Sequence, residues 1–238
     1  MNIRLSVLRR PSALVAILLL TVFVAGCNDE PAQRKAFITF LQTRIIDKPG
    51  LHVPHLTQEE TTTFGDYAKQ YAVITDFNDG LDKSIAQPMA EAINRGAIRS
   101  IDDVVTRHTD FIAARDGISK LHDAIQRQLA AADTAHAALK QPDDLKAVYD
   151  KAYDRDVTIP AKAFDDIFPD LSQALTAIID LGDFIEKHKD KVSIVGNQLQ
   201  TTDPALRPQL QAMIDALMAK SDAINKAQEH LRLVMNGG

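Results

Sequence analysis

Two kinds of side chain in this sequence are spaced as if to do chemistry: a lone thiol and a set of histidines. Cys27, in "VAGC" (Val24 to Cys27), is the one cysteine among 238 residues. A thiolate is the strongest nucleophile a side chain offers near neutral pH. Without a second cysteine in the chain it cannot close an internal disulfide, even in an oxidising compartment. His52 and His55 stand three apart in "LHVPHLTQEE", with Glu59 and Glu60 just downstream. Those are the residue types of a half-formed zinc or copper site. Pro54 makes the stretch a loop, however, so the two rings need not converge, and no second cluster completes the coordination. His108, His122 and His136 recur every 14 residues. On a helix that spacing rises about 21 Å, so they can share a stripe but not one ion, whose ligands lie within a few ångströms of each other. The expectation is no metal, with His52 and His55 as weak candidates.

The carboxylates read as structural. Asp102–Asp103, Asp143–Asp144 and Asp165–Asp166 fall near expected helix starts, where negative charge complements the helix dipole. General acid–base catalysis would instead need a carboxyl in an apolar pocket. "EKHKDK" (Glu186 to Lys191) reads as the solvated last turn of a helix. A G-x-S-x-G elbow, a P-loop and a dinucleotide fingerprint are all missing from the sequence. The expectation is a non-enzyme without a cofactor.

The segment before Cys27 explains its placement. Arg4, Arg9 and Arg10 give a positive start, Ser12 to Ala25 form the uncharged run "SALVAILLLTVFVA", and Ala25 and Gly26 are small. These are the parts of a secretory signal peptide. The apolar run is about 14 residues, against the roughly 20 a helix needs to span a bilayer. "VAGC" resembles the lipobox of bacterial lipoproteins, whose cysteine receives a diacylglycerol through a thioether before the chain is cut in front of it. On that resemblance residues 1–26 are a lipoprotein signal peptide, cleaved between Gly26 and Cys27. Residues 27–32 are a lipid-anchored tether and 33–238 a single domain. Buried methylenes contribute about 0.8 kcal/mol each and one acyl chain holds marginally, so the two or more chains of such a cysteine give lasting attachment. Asn28 and Asp29 leave the inner or outer membrane open. Arg34 and Lys35 stand close enough to the anchor to touch anionic head groups.

Composition narrows the partners. The chain has 27 basic and 32 acidic residues, and three of the basic ones precede Cys27, leaving a net charge of about −8 after cleavage. An acidic surface repels phosphate backbones, and with no Trp and few aromatics there is no stacking platform for single strands. Nucleic acid is excluded as a partner. The chain from Cys27 to Gly238 is long enough for one substantial core or two small ones.

Periodicity then places the elements. Phe37, Phe40, Leu41 and Ile45 lie on one helical face, ended by Pro49 and Gly50. Thr57 and Glu60 form a capping-box pattern. It opens a helix carrying Phe64, Tyr67, Tyr71, Ile74, Phe77, Leu81 and Ile85, which Asp79–Gly80 and Pro88 can kink. From Ser100 to about Lys140 the pattern predicts one helix of ~40 residues, about 60 Å long. Pro142 starts a shorter helix to about Arg155. Pro160 and Pro169 punctuate the next stretch, and a further helix runs from Asp170 to about Lys191. "VSIVGNQLQ" is the one plausible hairpin, turning at Gly196–Asn197. Asp203 caps a last helix with Pro204 at its first position. Gly65, Gly117 and Gly182 read as close-packing or kink positions. The fold class is all-α: an elongated antiparallel bundle of long amphipathic helices, with one short β-hairpin near 192–200.

Three stretches carry a wider resemblance: "QRKAFITFLQ" (33–42), "AHAALKQPDDLKAVYDKAY" (135–153) and "GDFIEKHKDKVSIVGNQLQ" (182–200). They resemble the YiaF-like family of bacterial lipoproteins, a family of unknown function. The resemblance implies a Gram-negative envelope lipoprotein and supplies no activity, cofactor or catalytic residue. Cys27 alone carries over as a functional position. The expectation is therefore a non-enzymatic interaction or scaffold protein, anchored to the membrane through its N-terminal lipid, facing the periplasm and binding an envelope protein. The alternative is a small-ligand or metal-binding lipoprotein with a pocket between helices.

Overall fold

The computed structural model describes residues 29–196 and 198–237. Gly26, Cys27 and the segment before them lie outside those residues. Helix α1 (Glu30–Leu41) begins inside the stretch expected to be a tether, with Pro31 in its first turn. It buries Phe37, Phe40 and Leu41 and continues as a π-helical turn, Gln42–Ile46. Phe37 is fully buried, with the rings of Phe40, Phe64, Tyr67, Tyr71 and Tyr149 centred 5.4–6.4 Å away. This aromatic cluster joins α1 to three other helices.

The Thr57–Glu60 capping box is formed in both directions: Glu60 N–H donates to Thr57 Oγ1 at 3.1 Å and Thr57 N–H to Glu60 Oε2 at 2.8 Å. It starts α2 (Gln58–Phe64). Gly65, at φ +56°, breaks the helix before α3 (Asp66–Leu81). A π-helical turn, Asp82–Ala86, then leads into α4 (Gln87–Gly96). A third such turn, Asp154–Thr158, joins α7 (Asp143–Tyr153) to α8 (Ile159–Lys187). The turns at 82–86 and 154–158 each stand just before a proline, Pro88 and Pro160. A proline ring clashes with the carbonyl four residues back, and widening that turn relieves the clash without ending the helix.

Two sequence expectations fail here, each for a visible reason. The helix expected from Ser100 to Lys140 is two: α5 (Asp103–Thr106) and α6 (His108–Ala137), broken at Arg107. The Arg107 guanidinium donates to the Ala97 carbonyl at 3.0 Å and to the Arg95 carbonyl, and faces Asp103 and Asp110 at 3.6 and 3.2 Å. Capping the end of α4 fixes this residue out of helical register. Conversely, Pro169 does not stop α8, which runs unbroken from Ile159 to Lys187. An interior proline costs about 3 kcal/mol. Burial of Phe164, Ile167, Phe168 and Leu171 on either side contributes roughly 1.5–3 kcal/mol each, which decides the matter for the helix.

The bundle is built on α6, α8 and α9 (Arg207–Asn236), with α4 against α6 and α9 lying along α8. Helices α6 and α8 are antiparallel: His108 meets Asp183 and His122 meets Asp165. Between α8 and α9 the expected hairpin is present, β1 (Val192–Val195) pairing antiparallel with β2 (Gln198–Thr201). Val192 is buried and fastens it to the core. Asp203 caps the turn that enters α9, its carboxylate accepting from Ala205 N–H at 3.0 Å. One hydrophobic cluster extends from Phe37 to Leu210, so the architecture is a single all-α body with a small hairpin.

Candidate functional site

The histidine stripe of α6 is a set of imidazole–carboxylate contacts across helix seams. His108 Nε2 lies 3.0 Å from Asp183, His122 Nε2 2.9 Å from Asp165, and His136 Nε2 2.9 Å from Asp150. His122 stacks on Phe168 and His136 on Tyr153, with centroids 5.2 and 4.0 Å apart. Each histidine serves a different carboxylate, in keeping with their spacing. Asp150 also accepts from Lys146. Burial pushes the Asp150 carboxyl up, but Lys146 and His136 outweigh it and hold it below the usual range. Asp165 is thus a partner in mid-helix, not part of a helix start as its sequence suggests. Asp102–Asp103 and Asp143–Asp144 do stand at helix starts, and Asp103 Oδ2 accepts from the Arg99 and Ser100 N–H groups.

His52 and His55 sit exposed on the loop between the π-turn of α1 and α2. His55 Nε2 is 3.9 Å from Asp79, with both side chains largely in solvent. Among the described residues no three His, Cys, Asp or Glu side chains gather as a metal would require. The loop covers a group that residue spacing alone does not single out. Asp156, inside the π-helical turn Asp154–Thr158, is completely buried. Its carboxylate oxygens have no hydrogen-bond partner among the described residues. Burial pushes the acid up to about 7, against the weaker pull of the nearby His52 backbone N–H and the Arg155 charge. Asn78 donates to the Asp156 carbonyl at 2.9 Å, holding the backbone of the widened turn. A signal for it does exist: Tyr149, Ala152, Tyr153, Asp156, Val157 and Pro160 form one helical stripe, so Asp156 occupies a core position.

A second feature lies between helices. A pocket of about 370 Å³ opens among α4, α6, α8 and α9. Its side-chain wall is apolar except for the Ser221 hydroxyl, and Ala92 and Ala174 leave space that larger side chains would fill, while a Cβ at Gly96 would already meet Leu175 at 2.9 Å. Small-molecule pockets span about 300–1,000 Å³ with few polar groups, so this one is of usable size. Only the small residues hint at it in the sequence.

At the other end, Arg34 faces Glu30 and Asp144 at 3.6 and 3.5 Å, so it is engaged within the fold rather than free for a head group. Among the described residues no helix is long and apolar enough to cross a membrane.

Fold and site together define an all-α bundle protein with an apolar pocket between helices. The chain belongs to the family described as "Protein of unknown function (DUF3053)", whose pattern matches residues 14–232. It is 33% identical over 218 residues to the "Uncharacterized protein YiaF" of Escherichia coli (strain K12), covering 90% of this chain and 91% of that one. The match to the protein of the same name in Shigella flexneri has the same identity and coverage. No solved structure matches.

Proposed function

We propose that this protein is a lipid-anchored component of the bacterial envelope that faces the periplasm and works by binding, without catalysing a reaction. The observation that supports it is the adjacency of anchor motif and fold: α1 begins at Glu30, three residues after Cys27 of the "VAGC" motif. Three extended residues reach at most about 10 Å, so a lipid on Cys27 holds the bundle at the bilayer surface, where its helix faces meet other envelope components. Metabolic labelling with an alkyne fatty acid tests the anchor. The wild-type protein is expected to incorporate label and fractionate with membranes, and Cys27→Ser to do neither. Equal labelling of the two would sink the anchor. Photo-crosslinking from exposed positions of α9 in intact cells tests binding, and a position-dependent adduct with one envelope protein is expected.

The pocket favours a second reading, in which the partner is a small apolar molecule held between α4, α6, α8 and α9. The two readings separate on whether a ligand stabilises the folded protein, since binding to the native state alone raises its apparent stability.

A further inference from the structure

We propose that the interhelical pocket takes a single-chain amphiphile with an anionic head, its hydrocarbon between the helices and its head at the Gly96–Ile98 end. This rests on the small-molecule reading of the pocket and not on the lipid anchor. Three observations carry it. The wall offers a hydrocarbon what it needs and little else: aliphatic side chains from four helices, and a single hydroxyl, Ser221. A ligand with several polar groups buried there would lose its water without replacement, at a cost in free energy.

Charge then marks one end. The Gly96–Ile98 segment lines the pocket where α4 ends and is bracketed by Arg95 and Arg99, both exposed. Neither is within ion-pair distance of a carboxylate among the described residues; Asp103, the nearby acid, faces Arg107 and accepts from backbone N–H groups, with the Arg99 charge a weaker influence on it. Asp170, Lys220 and Asp222 adjoin the long walls in sequence, with Lys220 donating to Gln173, so charge along the sides is mixed, whereas the Gly96–Ile98 end carries two arginines and is the more favourable place for an acidic head. Guanidinium groups suit carboxylate and phosphate heads by their forked geometry.

Position excludes the chain's own anchor. Tyr67 of α3 donates to Glu30, so the start of α1 lies at the beginning of α3. The helical path from Tyr67 to Ala92 at the pocket rises about 1.5 Å per residue, roughly 35–40 Å. A lipid on Cys27 would have to leave the bilayer and run the length of the bundle. The occupant is a separate molecule.

The test is native mass spectrometry of the full-length, processed protein extracted in mild detergent, with palmitic acid and hexadecanol as probes. Wild type is expected to hold one palmitate, and hexadecanol about tenfold more weakly, the worth of one charge-assisted contact. Ala92→Phe fills the pocket and is expected to abolish both adducts while melting no lower than wild type. Ile98→Glu, at a partly exposed position, and the double variant Arg95→Gln/Arg99→Gln are expected to weaken palmitate alone. Equal binding of acid and alcohol, unchanged binding in a folded Ala92→Phe protein, or no saturable adduct in wild type each overturn the proposal. None of these results bears on labelling at Cys27, so failure here and failure of the anchor are distinct.

Discussion

Asp156 allows a quantitative forecast. Its side chain is wholly buried, its oxygens lack hydrogen-bond partners among the described residues, and burial raises it from 3.8 to about 7. In the unfolded chain the acid titrates near its ordinary value. Between about pH 4 and 7 the folded state therefore holds a proton that the unfolded state has lost. Stability falls as pH rises wherever the native state binds more protons, so this group destabilises the fold progressively across that window and by a constant amount above it. About three units at 1.36 kcal/mol each give a ceiling of about 4 kcal/mol, and relaxation of the loop bearing His52 brings the expectation to about 2–4 kcal/mol.

Asp156→Asn keeps the shape and removes the charge. Near pH 4 the variant should lie within about 1 kcal/mol of wild type, since the acid is then neutral in the folded state and about half protonated in the unfolded chain. Near pH 8 it should be more stable by about 2–4 kcal/mol. Urea unfolding followed by far-UV circular dichroism at both pH values, at one ionic strength, measures the difference. Comparing the two proteins cancels the other ionisable groups, including Asp150 and Asp203, whose lowered values act at more acid pH. A wild-type advantage at pH 8, or a difference that does not change with pH, refutes the assignment of a neutral buried acid.

Three further substitutions probe the frame. Thr57→Ala removes the hydroxyl that caps α2 and should cost about 1 kcal/mol in chemical denaturation. Gly182→Ala would put a methyl 2.7 Å from the Val104 carbonyl, forcing α5 off α8; a loss of about 1–3 kcal/mol is expected, and an unchanged midpoint would show that the contact yields. Phe37→Ala empties the centre of the aromatic cluster and should cost about 3–5 kcal/mol, read as a fall in melting temperature.

Local signals are legible in the sequence wherever one residue determines the outcome. The Thr57–Glu60 box, the Asp203 cap and the hairpin at 192–201 all come from residue chemistry acting within a turn or two. The features that cannot be read there depend on partners far along the chain. Pro169 looks like a stop because its own cost is local, whereas the burial that overrides it comes from α6 and α9. Arg107 looks like one polar residue in a long amphipathic run, yet its hydrogen bonds to the end of α4 split the helix. Asp156 is visible as an acid on a core stripe, but its isolation becomes evident only when the loop carrying His52 closes over it. The pocket is harder still, since an absence of side-chain volume between four helices leaves no motif.

The two ends of the bundle bear on how a lipid-anchored form would stand at a membrane. If Cys27 carries the anchor, the body meets the bilayer beside the starts of α1, α3 and α7, where Glu30, Tyr67 and Asp144 lie near one another. The basic residues there without a carboxylate partner among the described residues are Lys35 and Lys140, because Arg34 is paired. The net charge of about −8 from Cys27 onward disfavours laying the whole surface against anionic head groups. Two cations near the anchor offset part of that, at about 1 kcal/mol per basic residue at the surface. The bundle would therefore stand on its α1 end rather than lie along the bilayer, with the pocket roughly 35–40 Å from the anchor along the helices. An amphiphile bound there would be out of the membrane. That geometry suits holding such a molecule in the aqueous space and is poorly suited to reading lipids in place.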